Sequence, residues 1–232
     1  MSVFENSRIL VTGGAGFFGR AFIGRVLSEH NPERVVVFSR DELKQYDMRA
    51  QFSDDPRLRF FIGDIRDRHR LTRACRGIDY VIHAAALKQV DTAEYNPFEF
   101  VATNITGSQN VVEATLDADV RKVVALSTDK ASSPINLSGA TKLVAAKVFQ
   151  SASHYAGTQD TRFSVVRYGN VLGSSGSVVP FFKQLARGGK DLPITDPNMT
   201  RFWITLDQAV DFVGSWLEMM RGGKFLCQKF PA

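Results

Sequence analysis

A chain of 232 residues, 44% of them hydrophobic, is long enough to bury one substantial core. Its formal net charge of +5 is mild and its basic residues read as scattered, which fits anionic small-molecule ligands and speaks against nucleic acid as a partner. The sequence has no apolar run of the roughly 18 residues a membrane span needs, no signal-type start, and only Cys75 and Cys227 as thiols, so a soluble cytoplasmic protein without a disulfide framework or a metal is expected.

From end to end, short β-branched runs alternate with amphipathic segments of helical length, the pattern of a parallel sheet covered by helices on both faces. Strands are predicted near residues 8–12, 34–38, 58–62, 80–84, 122–127, 162–167 and 224–229, and the most periodic helices near 17–29, 98–115, 138–156 and 206–220. Between 171 and 205 the pattern loosens into Gly, Ser and Pro around a short helix at 178–186, as expected where a fold leaves its sheet to build a ligand lobe.

The first predicted strand runs directly into Thr12-Gly13-Gly14-Ala15-Gly16-Phe17-Phe18-Gly19, which opens the first helix. Gly13 permits the tight turn, Gly16 lets the backbone approach a pyrophosphate, and Gly19 lets helix pack on strand, while the unpaired amides of the helix N-terminus face the phosphates. The expected fold is therefore α/β, a Rossmann-type doubly wound parallel sheet of about seven strands over residues 1–232, with a small, incomplete substrate lobe at about 171–205. The glycine spacing G-x-x-G-x-x-G resembles the extended short-chain dehydrogenase/reductase family.

The second strand is followed by Ser39-Arg40-Asp41. A guanidinium can pair with a 2′-phosphate bidentately, so NADP is the expected cofactor, with Asp41 keeping NAD open. Asp64-Ile65 and Ala84-Ala85-Ala86 follow the third and fourth strands, at the carboxyl ends where ligands of open α/β sheets bind. His83, in an apolar run at the end of the fourth strand, reads as a core or loop histidine rather than a ligand.

Further along, Ser127-Thr128-Asp129-Lys130-Ala131 precedes Asn136-Leu137-Ser138-Gly139-Ala140-Thr141-Lys142. In short-chain dehydrogenases the fifth strand ends in a Ser or Thr that holds the substrate, and the next helix carries Tyr and Lys one turn apart. Lys142 fits that position, but Ser138 stands where the tyrosine is expected. The lysine and the oxidised nicotinamide lower a tyrosine pKa from about 10, so that a phenolate takes the hydroxyl proton. An aliphatic hydroxyl is far more basic when ionised and shorter by a ring. Asp129 and Lys130 add an acid and a potential base, which sugar dehydration needs: oxidation at C4 acidifies the C5 proton, a base removes it, and an acid helps expel the C6 hydroxyl. A surface ion pair at a strand end is the alternative reading of the same two residues.

The segments Phe38-Ser39-Arg40-Asp41-Glu42-Leu43-Lys44, His83-Ala84-Ala85-Ala86-Leu87-Lys88-Gln89-Val90, Ser127-Thr128-Asp129-Lys130-Ala131, Pro134-Ile135-Asn136-Leu137, Arg167-Tyr168-Gly169-Asn170-Val171 and Asp196-Pro197-Asn198-Met199-Thr200-Arg201-Phe202 resemble the inverting UDP-N-acetylglucosamine 4,6-dehydratases that begin pseudaminic acid synthesis. The resemblance implies Asp129 as general acid toward the C6 hydroxyl and Lys130 as base at C5, with Thr128, Ser138 and Lys142 completing the catalytic set. A base at Lys130 requires a neutral amine, through burial or a neighbouring cation. The implied cofactor set is Gly13, Ala15, Gly16, Phe17, Phe18, Gly19, Ser39, Arg40, Asp41, Lys44, Asp64, Ile65, Ala84, Ala85, Ala86, Lys88, Ser127, Lys142, Val171, Ser174 and Ser175. Lys88, Thr128, Asn170, Val178, Thr195 and Arg201 match positions that contact UDP-N-acetylglucosamine, and family members commonly form homo-oligomers. Two departures stand out: Ser138 in place of tyrosine, and a chain that stops where family members continue into further substrate-lobe residues. Three outcomes stay open, namely an NADP-dependent dehydratase impaired at its first step, a catalytically silent nucleotide-binding protein, and a related nucleotide-sugar epimerase.

Overall fold

In the computed structural model, which describes residues 2–174 and 176–227, the apolar run of β1 (Arg8–Thr12) is buried on both faces, as the middle of a parallel sheet requires. The chain continues through α1 (Phe17–Glu29), β2 (Arg34–Ser39), α2 (Glu42–Gln51), β3 (Leu58–Ile62), α3 (Arg68–Cys75) and β4 (Tyr80–His83). Next come α4 (Val90–Tyr95), α5 (Pro97–Phe100), a π-helical turn (Val101–Thr106), α6 (Gly107–Asp117), β5 (Lys122–Thr128), a 3₁₀ turn (Asp129–Ala131), α7 (Leu137–Tyr155) and β6 (Arg162–Tyr168). The last elements are β7 (Asn170–Val171), α8 (Val178–Arg187), β8 (Trp203–Ile204), α9 (Leu206–Met219) and β9 (Lys224–Cys227).

Seven strands form one sheet in the order β3-β2-β1-β4-β5-β6-β9, with every neighbouring pair parallel. One core lies on the face covered by α1 and α9, where Phe22, Ile23, Val26, Val210, Val213 and Leu217 are buried. The other lies under α3, α6 and α7, around Leu71, Val111, Phe149 and Phe163. The strand order reverses between β1 and β4, which opens a crevice at the carboxyl ends of those strands.

The predicted sheet is found with end shifts of a residue or two; the part of the last predicted strand beyond Cys227 lies outside the described residues. Three features differ from expectation. The helix predicted at 98–115 is composite, because the π-helical turn at Val101–Thr106 separates α5 from α6. A second, two-stranded ladder pairs Asn170 with Trp203 and Val171 with Ile204, and returns the lobe between them to the body. There Gly169 lies so close to the Phe202 carbonyl that no Cβ would fit. Thirdly, part of the basic charge is gathered where a scatter was expected: residues 66–76 carry five of the 29 basic residues, all arginine, against one aspartate. Of these, Arg68, Arg70, Arg73 and Arg76 line an open groove of about 640 Å³ along α3. No helix among the described residues is long and apolar enough to cross a membrane.

Candidate active site

The glycine turn is built by backbone hydrogen bonds to β2: the Gly13 and Gly14 amides both donate to the Phe38 carbonyl, at 2.8 and 3.4 Å. Gly13 has φ +67°, and a Cβ there would meet the Ala85 backbone at 2.9 Å, so only glycine lets the turn pass the end of β4. Gly16 caps α1 without a side-chain hydrogen bond, leaving the amides of Phe17, Phe18 and Gly19 to a ligand. Phe18 contributes through its backbone, since its ring turns inward onto Phe22 and Tyr168.

A cleft of about 290 Å³ joins this turn to the ends of β2, β3 and β4. Twelve expected cofactor residues line it: Gly13, Ala15, Gly16, Ser39, Arg40, Asp41, Lys44, Asp64, Ile65, Ala84, Ala85 and Ala86. Asp41 caps α2 through the Lys44 amide at 2.9 Å and pairs with the Lys44 ammonium at 2.7 Å. Those hydrogen bonds hold its carboxyl below the usual carboxylate range. Asp64 accepts from the Arg66 amide and Nε, both at 2.9 Å, and lies 3.4 Å from Arg40. Burial alone would raise its pKa, but the bonds from Arg66 outweigh that and hold it low. Arg40 is half exposed and weakly held, so its guanidinium is free to turn toward a 2′-phosphate. The cleft fits a dinucleotide in shape and chemistry: it combines a glycine turn, uncapped helix amides and the buried Thr103 hydroxyl, which lines it without a hydrogen-bond partner.

Thr103 was missed in the sequence, as were Arg20 and Asn104. Arg20 ties the glycine loop to α2, donating to the Ala15 carbonyl at 3.1 Å and the Lys44 carbonyl at 2.7 Å. The fully buried Asn104 accepts from the Leu87 amide at 2.9 Å and donates to the Leu87 carbonyl at 2.9 Å and the Thr141 hydroxyl at 3.0 Å. Both Thr103 and Asn104 sit in the π-helical turn, a local widening that often marks functional sites and that apolar periodicity does not reveal.

At the end of β5, Thr128 donates to Asp129 Oδ1 at 2.8 Å and the Lys130 amide donates to the same oxygen at 2.9 Å. Lys130 Nζ lies 3.6 Å from that carboxylate and donates to Asn170 Oδ1 at 2.8 Å. The Lys130 side chain is 45% exposed, and it lies close enough to Lys88 for its charge to act there. Lys88 is itself held below the ordinary lysine pKa, by burial first and by the charge of Lys130 second. Ser138 is buried, and its hydroxyl reaches only the Lys88 carbonyl, at 3.4 Å. One turn on, Lys142 Nζ donates to the Leu126 carbonyl at 2.7 Å, and burial holds its pKa down to about 8. Ser127 is buried with an unpartnered hydroxyl. Val171 and Ser174 follow β6, Ser175 lies outside the described residues, and Val178 begins α8. Thr195 and Arg201 stand exposed on the lobe, apart from this cluster's hydrogen bonds, with the Arg201 guanidinium on the Thr200 carbonyl.

His83 shares a 2.8 Å hydrogen bond with Thr12 and packs against Phe149. Burial, reinforced by the charge of Lys142, lowers its pKa to about 3. Between that value and the unfolded value near 6.5, the unfolded chain binds a proton that the native one does not. The melting temperature is therefore expected to fall as pH drops from 6.5 toward 3, and His83→Gln is expected to lessen that fall; thermal melts at stepped pH check both.

The family described as polysaccharide biosynthesis protein matches residues 9–232. The chain is 53% identical over 231 residues to the UDP-N-acetylglucosamine 4,6-dehydratase (inverting) of Campylobacter jejuni subsp. jejuni serotype O:23/36 (strain 81-176), covering 99% of this chain and 69% of that protein. It is 43% identical over 233 residues to a UDP-glucose 4-epimerase of Rickettsia akari (strain Hartford), covering 99% and 68%. Among solved structures, a double mutant of DesIV, a dTDP-glucose 4,6-dehydratase from Streptomyces venezuelae with NAD and DAU bound, superimposes with a TM-score of 0.85 at 29% identity, covering 95% of this chain and 74% of that one.

Proposed function

The chain belongs to the polysaccharide biosynthesis protein family and groups within it with the inverting UDP-N-acetylglucosamine 4,6-dehydratases, and from that membership we propose that it carries out NADP-dependent inverting 4,6-dehydration of UDP-N-acetylglucosamine, with Ser138 slowing the first step. The observation that carries the reading is the turn after β5. It presents a carboxylate and an amine 3.6 Å apart at the carboxyl end of the sheet, the edge at which the dinucleotide cleft opens.

A nicotinamide dinucleotide, when bound, would supply the two-electron oxidation at C4 and the return of the same electron pair at C6. Lys142 would hold the nicotinamide ribose, with Ser127 beside it on the cofactor, and Thr128 orients the sugar. Ser138 stands at the position that takes the C4 hydroxyl proton. Lys130 then takes the C5 proton, which the C4 ketone has acidified, while Asp129 gives a proton to the departing C6 hydroxyl, which leaves as water; once the hydride is back at C6, the resulting enolate takes a proton at C5 on the opposite face, which inverts that carbon. Asn170 aims the Lys130 amine.

The preference for NADP is supported by Ser39 and the weakly held Arg40, although the DesIV structure carries NAD. Arg40→Ala is expected to raise the dissociation constant for NADP by about tenfold or more and to leave that for NAD unchanged, as calorimetric titration checks. Equal loss for both would move Arg40 to a part the two cofactors share, and no loss for either would assign it to the surface.

A second reading, nucleotide-sugar epimerase, is supported by the 43% identity to a UDP-glucose 4-epimerase. It gives Asp129 and Lys130 no task. The third, a silent binding protein, is supported by Ser138 alone. Incubation with NADP and UDP-N-acetylglucosamine separates the three: a 4-keto-6-deoxy product, UDP-N-acetylgalactosamine, or binding without product.

A further inference from the structure

Beside the acid–base turn stands Arg167, a side chain to which the motifs and the proposed reaction give no task. It leaves β6 level with Ser127 on β5 and with Cys227 on β9. Its Nη1 donates to Ser132 Oγ at 2.6 Å and its Nη2 to the Ala131 carbonyl at 3.4 Å. The guanidinium lies over the Phe225 ring of β9, 4.2 Å from its centre. Ala131 and Ser132 directly follow Asp129 and Lys130, so Arg167 grips the far end of the turn that carries both.

The remaining polar contacts of the turn are mostly local. The Ser132 amide donates to the Asp129 carbonyl at 2.9 Å, and the Lys130 amide donates to the Asp129 carboxylate. On its other side the turn rests on Gly139 of α7, where a Cβ would meet the Lys130 carbonyl at 2.6 Å. Three residues after Arg167, Asn170 accepts from the Lys130 amine. The segment 167–170 thus holds the turn by its backbone end and the lysine by its tip.

Among the described residues Arg167 makes no ion pair, and its buried Nε has no partner. Its charge is therefore not neutralised locally, and what the side chain contributes is geometry. A planar fork that reaches two acceptors while stacked on a ring is something lysine, a point charge on a flexible stem, cannot reproduce.

We propose that Arg167 is a positioning residue that fixes the turn bearing Asp129 and Lys130, directed by its stack on Phe225; the inference rests on the roles given above to those two side chains. The experiment compares Arg167→Met, Arg167→Lys and Phe225→Leu, each alone and together with Ser138→Tyr. Amide hydrogen exchange is followed at Lys130 and Ser132, and turnover of UDP-N-acetylglucosamine is measured in the Ser138→Tyr pair. Arg167→Met is expected to speed exchange at Lys130 and Ser132 by about tenfold while leaving Gly13 and Gly14 unchanged. It is expected to lower kcat by something on the order of 100-fold with NADP affinity unchanged. Arg167→Lys restores neither, and Phe225→Leu shifts both in the same direction by less, which keeps the test open if Arg167→Met folds poorly. Unchanged exchange at Lys130 and Ser132, or exchange that rises equally along β5 and β6, overturns the proposal. Absence of product in Ser138→Tyr with Arg167 intact counts against the proposed reaction instead, and the exchange measurement still decides the role of Arg167.

Discussion

Ser138→Tyr is expected to raise the rate of sugar-nucleotide turnover by about 10²–10⁴-fold, the usual worth of a positioned proton-transfer group. The expectation rests on how little else around position 138 is missing. The Lys142 amine, whose charge would stabilise a phenolate, is already fixed one turn away against the Leu126 carbonyl at 2.7 Å. The first turn of α7 is anchored by Asn136, which caps it through the Gly139 amide at 2.8 Å, and by Thr141, which donates to the Ser138 carbonyl at 2.9 Å and accepts from Asn104. Ser138 itself reaches only the Lys88 carbonyl, at 3.4 Å, so no strong native bond is lost when it is replaced. Its hydroxyl is a poor substitute because an unperturbed alkoxide is far too basic to form at neutral pH, whereas a phenol beside Lys142 is not. Initial rates with and without the substitution, at saturating cofactor, provide the check. NADP affinity should stay level, which separates repaired chemistry from repaired binding.

Within the Ser138→Tyr chain, Asp129→Asn and Lys130→Met should each reduce product formation by about 10²–10⁴-fold, but at different points. Lys130 acts first, at C5. Its loss should leave recovered UDP-N-acetylglucosamine free of solvent deuterium when the reaction is run in D₂O. Asp129 acts on the C6 hydroxyl. Asparagine there still accepts from Thr128 but has no acidic proton, so C5 should exchange with solvent while water loss stalls. Deuterium at C5 in the Asp129→Asn reaction together with none in the Lys130→Met reaction is the expected pattern. The reverse pattern would exchange the two roles, and equal exchange in both would assign proton removal to another group, with Lys88 a candidate.

The sheet was legible because its signal is redundant. Most strands of the body are short apolar runs rich in β-branched residues, and each of the first four ends at a recognisable ligand segment, so errors at single positions do not change the topology. The cofactor cleft was legible for the same reason: twelve of its lining residues fall in the segments that follow predicted strands. What the sequence concealed depends on long-range contact or on unusual backbone. Thr103 and Asn104 look like interior positions of an ordinary helix, and only the π-helical turn points them toward the cleft and the Leu87 loop. The β7–β8 ladder is two residues long on each side, too short for any periodicity. Arg167 belongs to a segment that was read as motif, yet its partners lie 35 residues away at Ser132 and across the sheet at Phe225. Four of the arginines of residues 66–76, namely Arg68, Arg70, Arg73 and Arg76, are brought to one groove by the folding of α3.

The most direct test is the identity of the sugar nucleotide formed from UDP-N-acetylglucosamine and NADP by the Ser138→Tyr chain, followed by proton NMR beside the parent chain. The account predicts a C6 methyl signal and a 4-keto sugar with inverted C5, appearing faster in the substituted chain. Accumulation of UDP-N-acetylgalactosamine with its C6 hydroxyl retained, or no conversion by either chain, would contradict it.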